Sequence, residues 1–336
     1  MKLLFIGGTG LISSACSDLA VAQGHDLFIL NRSLSRKIPL PEGSTLLQAD
    51  IYTDEARMAS LLADHHFDAV VDFIAYAVED IERGLRLFRG KTEQFVFISS
   101  ASAYQKPVRK YLITEETPLE NPYWDYSQNK IACESRLMQA YREEGVPVMI
   151  VRPSHTYGPT QIPLAVGSWQ HPWTVIDRMK RGKKVIVPGD GTSLWVLTWN
   201  KDFAKGLAGL LGNPKAIGEA FQITSDEVLS WDQIYLEAYR ALGLAPNMVH
   251  IPSDLITQYW PDAYGSLIGD KSNSVAFDNS KIKRFVPDFT CEVDWADGLG
   301  RALAWFDMHP EYQTIDRELD TLFDDIIDSY GRAFPA

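Results

Sequence analysis

KLLFIGGTGLISSACSDLAVAQGHDLFIL, residues 2–30, decides the fold. KLLFI is an unbroken apolar run suited to a strand buried on both faces, and Gly7, Gly8, Thr9 and Gly10 make a turn. A helix follows, Gly24 stops it, and HDLFIL supplies a second strand. Strand, glycine turn and helix in that order form the phosphate-cradling unit of a Rossmann-type domain. Gly7 permits the tight turn and Gly10 lets the backbone approach a pyrophosphate. Leu11 and Ile12 lead into the positive end of the helix, which attracts that anion. Ser13 occupies the third position of the GxxGxxG spacing, where its small side chain still allows close helix packing. The unit predicts a bound dinucleotide.

The same grammar continues outward. DAVVDFIA, QFVFIS and VPVMIV are further strand-like runs separated by helix-like stretches, so residues 1–151 read as an α/β, doubly wound parallel sheet of Rossmann type. After Val151 the loop RPSHTYGPTQIP opens a half rich in aromatics, including Trp169, Trp173, Trp195 and Trp199. VIDRMKRGK and NKDFAKGLAGLL read as helices, KVIVPG and AFQIT as strands. Residues 152–336 are therefore expected to be a smaller mixed α/β substrate domain, with segments able to return to the Rossmann core. Leu319, Leu322, Phe323, Ile326, Ile327 and Tyr330 share one helical face, leaving Asp324, Asp325 and Asp328 on a solvated one.

A chain of 336 residues with 46% hydrophobic residues accommodates two such units. Its net charge of −12 argues against a broad nucleic-acid surface, so small-molecule partners are expected and no nucleic acid. Cys16, Cys133 and Cys291 form no CxxC pair, which predicts neither a disulfide framework nor a metal site. The first apolar run is too short for a signal peptide or a membrane span, and the expected location is cytoplasmic.

The strand ends refine the cofactor reading. Where NAD binders carry an acid after the second strand, this chain has Asn31 and Arg32, with Ser33 beside them. A cation there suits a 2′-phosphate, which favours NADP over NAD; Arg32 pointing into solvent with NAD bound through Asn31 is the open alternative. Asp50, next to Ile51, either bonds an adenine amine or is a loop acid or cap. Phe73, Ile74 and Ala75 also lie at a carboxyl end of the sheet, where a cofactor rests.

The chemistry is concentrated further on. QFVFISS ends in Ser99 and Ser100, and YSQNK places Tyr126 and Lys130 four apart on one helical face. There the ammonium would lower the phenol pKa, letting Tyr126 pass a proton to or from a hydroxyl or carbonyl oxygen that Ser100 also binds.

GGTGLIS, DAVVDFIAY, FISSASAY, YSQNK, RPSHTYGP and VPGDGTSLWVLTWNKDFAKGL together resemble the extended short-chain dehydrogenase/reductases, the NAD(P)-dependent sugar epimerase/dehydratase family. The resemblance implies catalytic roles for Ser100, Tyr126 and Lys130, with Lys130 also on the nicotinamide ribose. It implies cofactor contacts for the glycine turn, Thr9 included, for Ser99, and for Pro153 and Ser154, and substrate contacts for Ser102, His155 and Trp195. Two departures matter. Ala101 and Ser102 replace the Asp-Glu pair of the dehydratases, which disfavours elimination of water. Trp195 replaces a diphosphate-binding Arg, so that either Lys271, Lys281 or Arg284 takes over or the substrate is not a nucleotide sugar. The implied activity is epimerisation of a sugar or nucleotide sugar through a keto intermediate, with hydride passing to and from NAD(P) while Tyr126 moves the proton. The alternatives are an oxidoreductase of a carbonyl or secondary alcohol and, because the branch includes chloroplast stem-loop RNA-binding proteins, a noncatalytic RNA-binding or regulatory protein. The resemblance also implies a homodimer packed through the helix bearing Tyr126 and Lys130.

Overall fold

Seven parallel strands make the central sheet: β1 (Lys2–Ile6), β2 (Asp26–Asn31), β3 (Thr45–Gln48), β4 (Ala69–Asp72), β5 (Phe95–Ile98), β6 (Val148–Pro153) and β7 (Ala220–Ile223). Their spatial order is β3-β2-β1-β4-β5-β6-β7, in a computed structural model that describes residues 1–32 and 38–334. Ser33 lies outside the described residues. Every residue of β4, β5 and β6 is buried, which is why these runs lack polar alternation. Phe5 sits opposite Ile29 on one side and Val71 on the other, so β1 is an interior strand beside the central β4, and the order reverses between β1 and β4. Loops leaving β1 and β4 therefore diverge, and the crevice between them is where this architecture receives ligands.

Helices cover both faces. On one, Ala15, Cys16 and Ala20 of α1 (Ser13–Ala22) pack with Phe203, Leu207 and Leu210 from the helix Asn200–Leu210. On the other, α2 (Glu55–Leu61) and α3 (Val78–Phe88) pack beside α4 (Asp125–Glu144), burying Met58, Ile81, Leu85, Cys133, Leu137 and Ala140. Full burial of each large apolar side chain contributes about 1.5–3 kcal/mol.

The sheet does not end at residue 151. AFQIT, read from sequence as part of the second unit, forms β7 and pairs with β6 in the register Phe221 to Val151. Phe221, Gln222 and Ile223 are all 0% exposed, so this strand is an integral part of the core. The remaining chain forms small two-stranded pieces, among them Val185–Pro188 with Met248–Ile251 and His155–Tyr157 with Leu197–Trp199. They pack around Trp173, Trp195, Trp199, Trp231 and Trp295. The last helix, Arg317–Ala333, buries Leu319, Phe323, Ile326 and Ile327 along the predicted stripe. Asp324 is not simply solvated: Arg178, whose side chain is 1% exposed, binds Asp320 at 2.7 Å and Asp324 at 2.5 Å, because a buried guanidinium needs carboxylates. Asp325 and Asp328 are exposed. Among the described residues no helix is long and apolar enough to cross a membrane, and no group of three or more His, Cys, Asp or Glu could hold a metal ion.

One polar link ties α4 to the sheet. Arg152 on β6 donates through Nε to Glu134 Oε1 at 3.0 Å and through Nη2 to Oε2 at 2.7 Å, with both side chains nearly inaccessible. Its Nη1 also donates to the Tyr104 hydroxyl at 3.3 Å, whose own proton goes to Gln222 at 3.0 Å. Removing one member of such a pair leaves an uncompensated buried charge, so Glu134→Gln is expected to cost about 3–5 kcal/mol in urea unfolding.

Candidate active site

The turn after β1 is built for close approach. Gly7 has φ +83°, and a Cβ there would lie 2.3 Å from Ile74 Cγ2. Ser13 closes the loop: its hydroxyl donates to Gly7 O at 2.6 Å and accepts from Gly10 N–H at 2.8 Å. Ser17 donates to Gly8 O at 2.9 Å, Asn31 donates to Thr9 Oγ1 at 3.2 Å, and Asn200 donates to Leu11 O at 2.9 Å. Ile12 precedes α1 without any side-chain cap, which leaves the positive helix end to an anion. At the end of β5 the buried Ser99 hydroxyl has no hydrogen-bond partner. A side-chain-free cradle, an uncapped helix end and an orphaned buried hydroxyl fit a dinucleotide on this edge.

Arg32 is exposed, with Nη1 3.8 Å from Asp50 Oδ2, and Asp50 Oδ1 accepts the Tyr52 N–H at 2.9 Å. Asp50 thus serves the loop turn that the sequence left as one of two options. Ile51 turns its side chain into the core beside Met58, so only its backbone remains for a ligand. Phe73 packs edge-on against Phe5.

From Ile12 and Phe73 a cavity of about 610 Å³ extends towards the second half of the chain, within the roughly 300–1,000 Å³ typical of small-molecule sites. Ser99, Ser100, Ser102, Tyr126, Lys130, Pro153, Ser154, His155 and Trp195 all line it. The sequence positions from four strand ends and one helix therefore converge.

Tyr126 enters on the first turn of α4, its ring flanked by Tyr76 at 5.8 Å and Trp124 at 5.0 Å. A chain of polar groups backs it. Asn121 Nδ2 donates to Ser127 Oγ at 3.2 Å, and Ser127 donates to Ser102 Oγ at 2.8 Å. Ser102 and Ser100 hydroxyls meet at 2.9 Å. With Ser102 accepting from Ser127, its own proton goes to Ser100, and the Ser100 proton is left for a group in the cavity that Ser100 and Tyr126 both line.

Lys130 corrects the sequence expectation. Its Nζ donates to Ala75 O at 2.7 Å and Ile98 O at 2.9 Å, and lies 5.9 Å from the Tyr126 ring centroid. Burial pushes the Tyr126 phenol up from its ordinary value, with the Ser100 hydrogen bond acting in the other direction. Burial pushes the Lys130 ammonium down, against the attraction of buried Asp72. Among the described residues the ammonium is held by the carbonyls of Ala75 and Ile98 and makes no hydrogen bond to the phenol, which burial raises.

At the far wall Trp195 Nε1 donates to His155 Nδ1 at 3.3 Å, which puts the neutral imidazole proton on Nε2. Burial, then the nearby Lys271 charge, drives the His155 pKa down to about 3. Trp195 stacks on Trp231 at 5.3 Å, so one face is already covered. Ser154 meets the Thr198 hydroxyl at 3.0 Å. Of the three cations considered in place of an Arg, only Lys271 reaches the cavity. Lys281 is held by Glu219 at 2.7 Å and Arg284 is exposed. Lys106, Asp270, Trp169, Asn121 and Ser127 carried no sequence signal, being brought together only by the fold.

Comparison with known proteins gives the same picture. Residues 3–224 match the NAD dependent epimerase/dehydratase family. The 2'-dehydrokanamycin reductase of Streptomyces kanamyceticus is 25% identical over 294 residues, covering 86% of this chain and 80% of the relative. An uncharacterised UDP-glucose epimerase of Bacillus subtilis is 29% identical over 334 residues, covering 91% and 98%. The structure of UDP-glucuronic acid 4-epimerase from Bacillus cereus in complex with UDP-glucuronic acid and NAD superposes with a TM-score of 0.73 at 20% identity, over 92% of this chain and 99% of that one. With two thirds of its length inside the family match and a Rossmann sheet that leads into this cavity, the chain belongs to the NAD dependent epimerase/dehydratase family.

Proposed function

We propose that this protein is an NAD(P)-dependent epimerase that inverts a secondary alcohol of a sugar or nucleotide sugar through a transient ketone. The observation that carries the reading is the convergence of Ser100, Tyr126 and Lys130 on the lining of one cavity that begins at the glycine turn's helix. Gly7, Gly10, the open end of α1 and Ser99 would hold the cofactor, with Lys130 turning from its carbonyls to the nicotinamide ribose. When bound, NAD(P) supplies the hydride acceptor and donor. Tyr126 takes the carbinol proton as the carbonyl forms and returns it afterwards, while Ser100 donates to the same oxygen and fixes its position. The Asn121-Ser127-Ser102 chain orients Ser100 so that its proton points at the reacting atom. His155 presents Nε2–H to the substrate as a neutral donor.

Net reduction or oxidation by the same residues is the second reading, supported by the likeness to a reductase. It is distinguished by a stoichiometric change in the cofactor without inversion, NAD(P)H being consumed in a reduction and released in an oxidation. The net charge of −12 weighs against the RNA-binding alternative, since phosphate-backbone binding relies on Lys and Arg. Arg32 at the end of β2 favours NADP.

Tyr126→Phe is expected to lower turnover by about 10² or more while leaving cofactor binding intact, measured by steady-state kinetics and calorimetry. Arg32→Ala is expected to weaken NADP about tenfold and NAD far less, as loss of a charge-assisted hydrogen bond requires; equal losses would argue against a 2′-phosphate contact. His155 sets a pH dependence. Folded, it titrates at about 3, whereas the ordinary value is 6.5, so the unfolded chain binds the extra proton between them. Its contribution to stability is complete above 6.5 and is lost as pH falls towards 3. Going from neutral to mildly acid pH, His155→Gln should lose less melting temperature than wild type.

A further inference from the structure

The segment Leu267–Lys271, LIGDK, forms a π-helical turn. Such wide turns are rare and recur at functional sites. Here the turn brings two consecutive side chains, Asp270 and Lys271, to the same cavity. Lys106, whose side chain is 2% exposed, reaches in from the loop after β5 and pairs with Asp270 at 3.6 Å. Lys271 has no carboxylate of its own; its Nζ is 3.5 Å from Ser266 O. Its backbone is fixed instead, because Trp231 Nε1 donates to Lys271 O at 2.9 Å and Trp231 is in turn stacked on Trp195. The tryptophan pair thus serves to seat a lysine.

The charges of the cavity can be balanced residue by residue. Among the described residues its lining includes Lys106, Lys130 and Lys271 and no arginine. Lys130 is committed to two carbonyls, and Asp270 is shared between Lys106 at 3.6 Å and the adjacent Lys271, whose charge also acts on it. Asp262 is exposed at the rim. Two ammonium groups thus share one carboxylate and leave one positive charge in excess, in a lining that also includes Ile162, Leu164, Val275 and Phe277. A partly buried ammonium in excess calls for a counter-charge. The two linked phosphates of a nucleoside diphosphate are matched by guanidinium forks, which the described lining does not offer.

We propose that the π turn and Lys106 form a subsite for a single oxyanion group on the substrate, a carboxylate or a phosphate monoester carried by a sugar ring, with Lys271 Nζ as its ligand. The subsite rests on the reading of this cavity as a sugar-binding active site, and it makes the substrate a sugar carrying one anionic group instead of a nucleoside diphosphate sugar.

Quenching of the intrinsic tryptophan fluorescence tests this, since Trp169 and Trp195 line the cavity. The probes are D-glucuronate, glucose 6-phosphate, methyl glucoside and UDP-glucose, each titrated into NADP-loaded wild type, Lys271→Gln, Lys271→Arg and Tyr126→Phe. At least one of the two acidic sugars, D-glucuronate or glucose 6-phosphate, should bind more tightly than methyl glucoside. Lys271→Gln should weaken it by about tenfold or more, as for a lost hydrogen bond to a charged group, and Lys271→Arg should retain it. Which acidic sugar responds identifies the oxyanion. UDP-glucose binding at least as tightly as either acidic sugar, neither acidic sugar binding, or Lys271→Gln weakening the neutral glucoside equally would each overturn the subsite. If Lys271→Gln does not fold, the wild-type ranking and Lys271→Arg still decide. Should Tyr126→Phe turn over undiminished while Lys271-dependent binding persists, the catalytic reading fails and the subsite stands.

Discussion

Arg152 lies within the sheet with no route to water, and Glu134 on α4 answers it with both carboxylate oxygens. The pair fixes more than a helix. α4 carries Ser127, Tyr126 and Lys130, so its height and rotation over β5 and β6 determine whether a phenol, two serines and two strand-end carbonyls can meet. A hydrophobic interface would bury as much area but tolerate sliding by a turn. A bidentate ion pair inside low-dielectric surroundings permits one geometry, because any displacement leaves charge unpaired. The network then runs on through Tyr104 and Gln222 to β7, joining the last strand of the sheet to the helix that bears the reacting groups.

Two kinds of polar order meet in the cavity. The hydroxyl chain from Asn121 to Ser100 is neutral and directional: Asn121 donates to Ser127, Ser127 to Ser102, and Ser102 meets Ser100. The lysines behave differently. Lys130 is neutralised in effect by backbone dipoles, Lys106 by Asp270, and both arrangements keep positive charge close to the site without presenting it to the reacting oxygen. The phenol, raised by burial, is therefore a proton reservoir in the resting protein and becomes a base only when charge is rearranged around it.

Much of this was legible in the residues. The five strand-like runs of the first half were readable because burial on both faces leaves a continuous apolar signature, and Tyr126 with Lys130 was readable because four residues span one helical turn. The true extent of the sheet was not: AFQIT looks the same whether it closes the first layer or starts another, and only its pairing with β6 decides. The partners of Lys130 were not readable, because side-chain spacing says nothing of the carbonyls of Ala75 and Ile98 that hold its ammonium. Lys106 and Asp270 gave no local pattern, since what unites them is a π turn and a loop far apart in sequence. Trp195 lines the cavity, as a substrate-contacting residue must, but its stacking on Trp231 and its N–H bond to His155 were not readable from the sequence.

Ser13 stands where a third glycine is the usual solution, and it bridges the two sides of the turn through one hydroxyl. With Ser17, Asn31 and Asn200 also bonded to the loop, the glycines have given up their conformational freedom at folding. A ligand arriving here meets a rigid rim, so little ordering entropy remains to be lost on association and more of the contact energy appears as affinity. Because Asn200 comes from the second half of the chain, that rigidity is complete only once both halves have folded together.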